Sequence, residues 1–88
     1  PKPITFGQFL RDSREAKVAT DRAFSLRKVA DRVGLALYLS KIERDEQPPP
    51  GEGVIRLLAQ DLSEDPDVLL ALAGKVSSDL LAIIRTRP

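Results

Sequence analysis

The sequence predicts an all-α protein, on three grounds. Apolar residues recur three and four positions apart along most of the chain, which is the repeat of one helix face. Helix-starting and helix-stopping residues punctuate it: Thr5, Ser25, Asp65 and Ser77 as N-caps, Gly34 as a left-handed stop and Gly74 as a stop. No segment alternates apolar and polar residues over the length of a strand, and the β-branched residues are scattered. At 88 residues the chain has room for a single domain, 1–88, with a modest core.

The elements follow in order. Thr5 with Gln8 three residues later is a capping-box pattern. It opens a helix over about residues 6–17, with Phe6, Phe9, Leu10, Ser13 and Ala16 along its inner stripe. The period breaks from Lys17 to Phe24, which predicts a loop. Ser25 then caps a second helix with Leu26, Val29, Ala30 and Val33 at helical spacing, and Gly34 ends it. A third helix is expected over 36–44, with Leu35, Leu39 and Ile42 facing inward, until Pro48-Pro49-Pro50 forbids continuation. The fourth runs from Glu52 to Leu62, with Val54, Leu57, Leu58 and Leu62 on one side. Asp65-Pro66 places a cap before a proline at the first helical position and opens a fifth helix that stops at Gly74. Ser77 caps a sixth helix, 77–86, in which Leu80, Leu81, Ile83 and Ile84 are apolar.

Composition removes several function classes. The chain has no Cys and no His, so it lacks thiol nucleophiles, disulfides, the usual zinc ligands and the usual general base at neutral pH. Ser25, Ser40, Ser77 and Ser78 have no His to activate them. Gly51-Glu52-Gly53 lacks the Lys-Ser/Thr that completes a phosphate loop. The expectation is a protein that is not an enzyme, with no cofactor, no metal and no catalytic residue. No apolar run approaches the roughly 18 residues of a membrane span, and the first residues lack the apolar stretch of a signal peptide. A secreted domain this small would usually carry disulfides. These features together predict a cytoplasmic location and no membrane partner.

Net charge is only +1, yet its distribution is uneven. Residues 22–44 hold Arg22, Arg27, Lys28, Arg32, Lys41 and Arg44 against Asp31 and Glu43, while residues 45–84 hold eight carboxylates against Arg56 and Lys75. Segregation of this kind orients a protein on a polyanion, although a pair of solvated helix faces produces the same count. Two short helices across a Gly turn, with an apolar residue directly after the Gly, make a helix-turn-helix over 25–44. Its second helix fits the major groove, with basic side chains on the phosphates. An ordinary helical hairpin in a small bundle has the same pattern.

The residues also resemble a known family. Phe9-Leu10-Arg11-Asp12-Ser13-Arg14-Glu15, Ser25-Leu26-Arg27-Lys28-Val29-Ala30 and Tyr38-Leu39-Ser40-Lys41-Ile42-Glu43-Arg44 are similar, in that order, to the lambda-repressor-like helix-turn-helix regulators, also called the xenobiotic-response-element family. Pro48-Pro49-Pro50, Val54 to Leu62 and Asp65-Pro66-Asp67-Val68-Leu69-Leu70 continue the resemblance, which covers a core of about residues 6–74. It implies a five-helix DNA-binding domain, here with an extra C-terminal helix, that binds an operator as a homodimer and usually represses transcription. Ser25, Arg27 and Lys28 are then expected near phosphates, Leu37, Tyr38, Ser40 and Lys41 on the groove face, and Arg44 near the backbone. Tyr38 packing on the domain surface is the alternative, and Arg32 is expected to be merely solvated. Leu37 can touch a thymine methyl but cannot donate to guanine, so an A·T-leaning contact is expected there. The resemblance further implies an ion pair between Arg14 and Glu43.

Three features depart from the family pattern. The loop from Lys17 to Phe24 is longer than usual; Thr20 and Arg22 in it could reach the DNA backbone, but a solvated insertion is the preferred reading. Ala36 stands where a polar N-cap, usually Ser, opens the third helix, and Leu37 follows it. Only Leu35-Ala36-Leu37 separate Gly34 from Tyr38, one residue fewer than the resemblance implies, and the chain contains no Met. Loss of a modified Met at that point would account for both facts, and an intact mass would decide it.

Leu80, Leu81, Ile83 and Ile84 exceed what one narrow stripe of a short helix can bury in its own domain, which predicts a dimer interface. Folding back to complete the monomer's core is the other use of such a helix. A rival to the regulator is an antitoxin-like module whose helix-turn-helix scaffold binds another protein. With no second domain to receive a signal, no small-molecule ligand is expected.

Overall fold

Thr5 sets the first element. Its backbone is extended and its hydroxyl accepts from the Gln8 N–H at 3.0 Å, so α1 (Phe6–Val18) begins directly behind it. The computed structural model describes residues 4–75, and over that range the chain is all-helical, with no strand among the described residues. The remaining elements are a 3-10 turn (Arg22–Phe24), α2 (Leu26–Val33), α3 (Leu39–Glu43), α4 (Glu52–Leu62) and α5 (Pro66–Leu72). None of the described helices is long and apolar enough to cross a membrane.

Helix α1 buries Phe6, Gly7, Leu10 and Arg14, whereas Ala16, expected on the inner stripe, is exposed. The stripe turns away from Ala16 because the arginine occupies the inward position one turn past Leu10. At Gly7, α1 lies close against the end of α3. A Cβ there would run into the carbonyl oxygen of Ile42 and come within 2.6 Å of an Asp45 carboxylate oxygen, so only glycine lets α1 lie this close to the end of α3.

The segment expected as a plain loop contains the 3-10 turn. Asp21 caps it by accepting from the Ala23 N–H at 2.9 Å, and Phe24 packs against the core. Ser25 caps α2 by accepting from the Lys28 N–H at 3.4 Å. Gly34 stops α2 at φ 77°, and the Leu35 N–H returns to the Ala30 carbonyl at 2.8 Å while Leu35 enters the core.

The third helix starts three residues later than expected: residues 36–38 form a turn and α3 begins at Leu39. The cause is local. Leu35 is anchored in the core, and its carbonyl accepts from the N–H groups of both Tyr38 and Leu39 at 3.0 Å. Ala36 has no side-chain acceptor to cap an earlier start, and Tyr38, at the N-cap, makes no side-chain cap either.

Helix α4 is rotated from the expected face. Ile55, Leu58, Ala59 and Leu62 are buried, Val54 is partly buried, and Leu57 is 48% exposed. The buried set has the i, i+3, i+4, i+7 spacing of a single stripe, and that stripe faces α2 and α5. Ser63, left-handed at φ 55°, ends α4. Asp65 then caps α5 through the Asp67 N–H at 2.8 Å, with Pro66 at the first helical position. Gly74 at φ 71° follows α5, where the sequence places a stop.

Among the described residues the core comprises fourteen buried hydrophobic residues drawn from all five helices and Leu35, among them Leu10, Val29, Leu39, Ile55, Leu58, Leu62 and Leu69. Each fully buried Leu or Ile contributes about 1.5–3 kcal/mol relative to exposure. Arg32, expected to be solvated, instead staples α2 to α4. Its guanidinium donates to both Asp61 carboxylate oxygens at 2.6 and 3.0 Å and lies 5.4 Å from the centre of the Phe24 ring. The helix expected over 77–86, with Leu80, Leu81, Ile83 and Ile84, lies outside the described residues.

Candidate nucleic-acid interface

The surface singled out by the sequence is built on α2 and α3, joined by Gly34, Leu35 and the turn at 36–38. Helix α2 turns Val29, Ala30 and Val33 inward, which leaves Arg27 and Lys28 exposed one turn from its capped start at Ser25. Helix α3 turns Leu39, Ile42 and Glu43 inward, so Lys41 and Arg44 face solvent and Ser40 is half-buried at the edge. Ahead of α3, Leu37 is 78% exposed and Tyr38 is 50% exposed. Tyr38 is therefore half covered and not part of the core. A small depression of about 170 Å³ between the two helices brings Arg27, Ala36 and Ser40 together.

Beneath this surface, Arg14 from α1 holds the helix pair. Its guanidinium donates to Glu43 Oε2 at 2.7 Å and Oε1 at 3.0 Å, and a third N–H reaches the Phe24 carbonyl at 3.4 Å. One buried side chain thus joins α1 to α3 and to the segment that leads into α2. The hydrogen bonds to Glu43 raise the Arg14 pKa above its ordinary value, outweighing the effect of burial. No buried side-chain nitrogen or oxygen among the described residues lacks a hydrogen-bond partner.

The cations divide into two groups. Arg11, Arg14, Arg32, Arg44 and Arg56 each pair with a carboxylate of the protein, and Lys17 donates to Ser13. The side chains of Arg27, Lys28 and Lys41 make no hydrogen bond or ion pair among the described residues. All three lie on the exposed faces of α2 and α3; Arg22 in the 3-10 turn and Lys75 behind α5 are likewise exposed and without such a partner among the described residues. Arg44, expected at the DNA backbone, donates to Glu46 at 2.8 and 3.1 Å. This bond holds the Glu46 carboxyl below its ordinary range, and the charges of Arg44 and Lys41 lower it further.

Two features of this surface escaped sequence reasoning. Arg11 of α1 lines a second depression together with Ser40 and Arg44, a juxtaposition made by tertiary packing alone. Arg32 is committed to Asp61, 29 positions away, and no local pattern signals that pairing. No group of His, Cys, Asp or Glu among the described residues is arranged to hold a metal ion. Comparison with protein-family models, curated proteins and solved structures finds no match to this chain.

Proposed function

We propose that the protein is a sequence-specific, duplex-DNA-binding transcriptional regulator of the lambda-repressor-like kind, acting in the cytoplasm as a homodimeric repressor. The division among its cations supports this reading most strongly. Arg11, Arg14, Arg32, Arg44 and Arg56 are paired with carboxylates of the fold, whereas Arg27, Lys28 and Lys41 make no hydrogen bond or ion pair among the described residues and sit on two adjacent helices; Arg22 and Lys75, also unpaired, lie outside those helices. Leaving cations unpaired on one face suits a partner that supplies the anions, as the phosphates of a duplex do.

The parts then have distinct roles. Arg27 and Lys28 take phosphates and fix register, with Ser25 beside them. Lys41 and Ser40 offer hydrogen bonds to base edges, and Leu37 and Tyr38 offer apolar contact, as with a thymine methyl. The α3 helix has only five residues, about 7.5 Å at 1.5 Å per residue. The turn at 36–38 therefore enters the groove with it. The chain also has a C-terminal apolar segment for pairing two copies, so that two such surfaces meet successive turns of one duplex, roughly 34 Å apart.

A second reading has its own support. Leu37 and Tyr38 are large, apolar and exposed at the head of α3, which suits a protein partner in an antitoxin-like module. Duplex-binding titrations separate the two. Arg27→Ala should weaken binding to operator and random duplex alike, and Lys41→Ala should narrow the gap between them. A chain that captures a protein partner while both substitutions leave duplex affinity unchanged would favour the second reading.

A further inference from the structure

We infer that the phosphate-contacting surface continues beyond α3 onto α1, through Arg11 facing Arg44 across a shallow depression. This surface exists only if the chain binds duplex DNA as proposed. Arg11, Ser40 and Arg44 line one open depression of about 180 Å³, with the buried Arg14–Glu43 pair in its wall. Ser40 also lines the neighbouring depression, where Arg27 and Asp31 stand, so the two depressions adjoin at Ser40 and lead from Arg27 to Arg44 and Arg11. The Ser40 hydroxyl makes no hydrogen bond among the described residues, which leaves it free to donate to an anion lying where the two adjoin.

Each carboxylate in or beside this depression faces an arginine. Glu43 does not compete for the rim arginines, because both of its oxygens already accept from Arg14. Arg11 lies 3.5 Å from Glu15, and both side chains are about half exposed. Arg44 donates to Glu46, and that pair is also about half exposed. Guanidinium groups bind carboxylate and phosphate oxygens through the same two-pronged geometry. Glu46 therefore occupies the donors of Arg44 that a backbone phosphate would use, and Glu15 sits beside one of those of Arg11. Exposed pairs of this kind are weak. A phosphate that replaces the carboxylate also releases a condensed counter-ion from the duplex, which drives the exchange. The two glutamates are internal counter-anions that hold the arginines until DNA displaces them.

The test is the salt dependence of binding to a labelled duplex by the full chain, for the parent and for Arg11→Ala, Arg27→Ala, Glu15→Gln and Glu46→Gln. Circular dichroism should confirm that each exposed substitution leaves the helices intact. The expected result is that Arg11→Ala weakens every duplex several-fold and flattens the slope of log K against log salt by about 1. Glu15→Gln and Glu46→Gln should each tighten binding several-fold at low salt. If Arg27→Ala weakens binding while Arg11→Ala keeps the parent's affinity and slope, the α1 contact is overturned and the DNA-binding reading stands. Glutamine variants with unchanged affinity would overturn the counter-anion role. A parent chain that binds no duplex overturns both proposals.

Discussion

Arg14 and Glu43, 29 positions apart, meet through two parallel charge-assisted hydrogen bonds in a buried setting. The pair decides where α3 sits on α1, because each side chain comes from the inward face of its own helix. Removing one partner leaves the other buried without a counter-charge. Arg14→Ala or Glu43→Ala is therefore expected to lower the unfolding free energy by about 3–5 kcal/mol. Replacing both with apolar residues of similar volume should cost much less than either single change. Urea denaturation of the three variants checks both expectations.

Two glycine positions should respond with opposite signs. At Gly7 an added methyl meets the backbone carbonyl of Ile42, which cannot swing aside as a side chain would. Gly7→Ala should destabilise by about 1–3 kcal/mol, as overpacking does. Gly53 lies inside α4 with nothing within 4 Å of an added Cβ. Gly53→Ala should stabilise by about 0.5–1 kcal/mol through helix propensity. Thermal melts of the two variants should move in opposite directions.

The Arg44–Glu46 pair makes a small pH-dependent contribution of definite sign. Arg44 lowers the Glu46 pKa in the folded chain, so the pair stabilises the fold above the ordinary carboxyl range. That contribution is lost as pH falls through the depressed value, when the carboxyl takes up its proton. An NMR titration of the Glu46 carboxyl should show a midpoint below the ordinary value of 4.5, and Arg44→Ala should raise it toward that value. High salt should shrink the difference, since the pair is exposed.

Much of the helix pattern was legible because it is written locally. Thr5, Ser25 and Asp65 each accept a backbone N–H two or three residues ahead, and Gly34 takes the left-handed turn that only a residue without a Cβ adopts freely. The phase of α4 was not local. Val54, Ile55, Leu57, Leu58 and Leu62 contain two overlapping stripes, and packing against α2 and α5 selects the one through Ile55 and exposes Leu57. The late start of α3 comes from anchoring Leu35 in the core before a cap-less Ala36, a competition between tertiary burial and local propensity. At the candidate interface, Arg27, Lys28 and Lys41 could be read as outward from helical spacing. The commitment of Arg32 to Asp61 and the approach of Arg11 to Arg44 depend on packing between helices distant in sequence.

Self-association is expected to depend on the C-terminal segment. Leu80, Leu81, Ile83 and Ile84 lie in an unbroken apolar run, 80–84, within residues 76–88. Light scattering at micromolar concentration should report a dimer for the full chain and a monomer when residues 76–88 are removed. A full chain that stays monomeric, or a truncated chain that stays dimeric, would count against pairing through this segment.

Recognition of a DNA sequence by the surface of α2 and α3 is measured by selecting duplexes from a random pool. Enrichment of a shared sequence is the predicted result, bound at about 10⁻⁸ M or tighter at physiological salt. Lys41→Ala should lose discrimination for that sequence while keeping its weak affinity for random duplex. If repeated rounds enrich no common sequence, and every recovered duplex binds more weakly than about 10⁻⁶ M, the affinity is only that of non-specific charge contact. Sequence-specific recognition would then be contradicted.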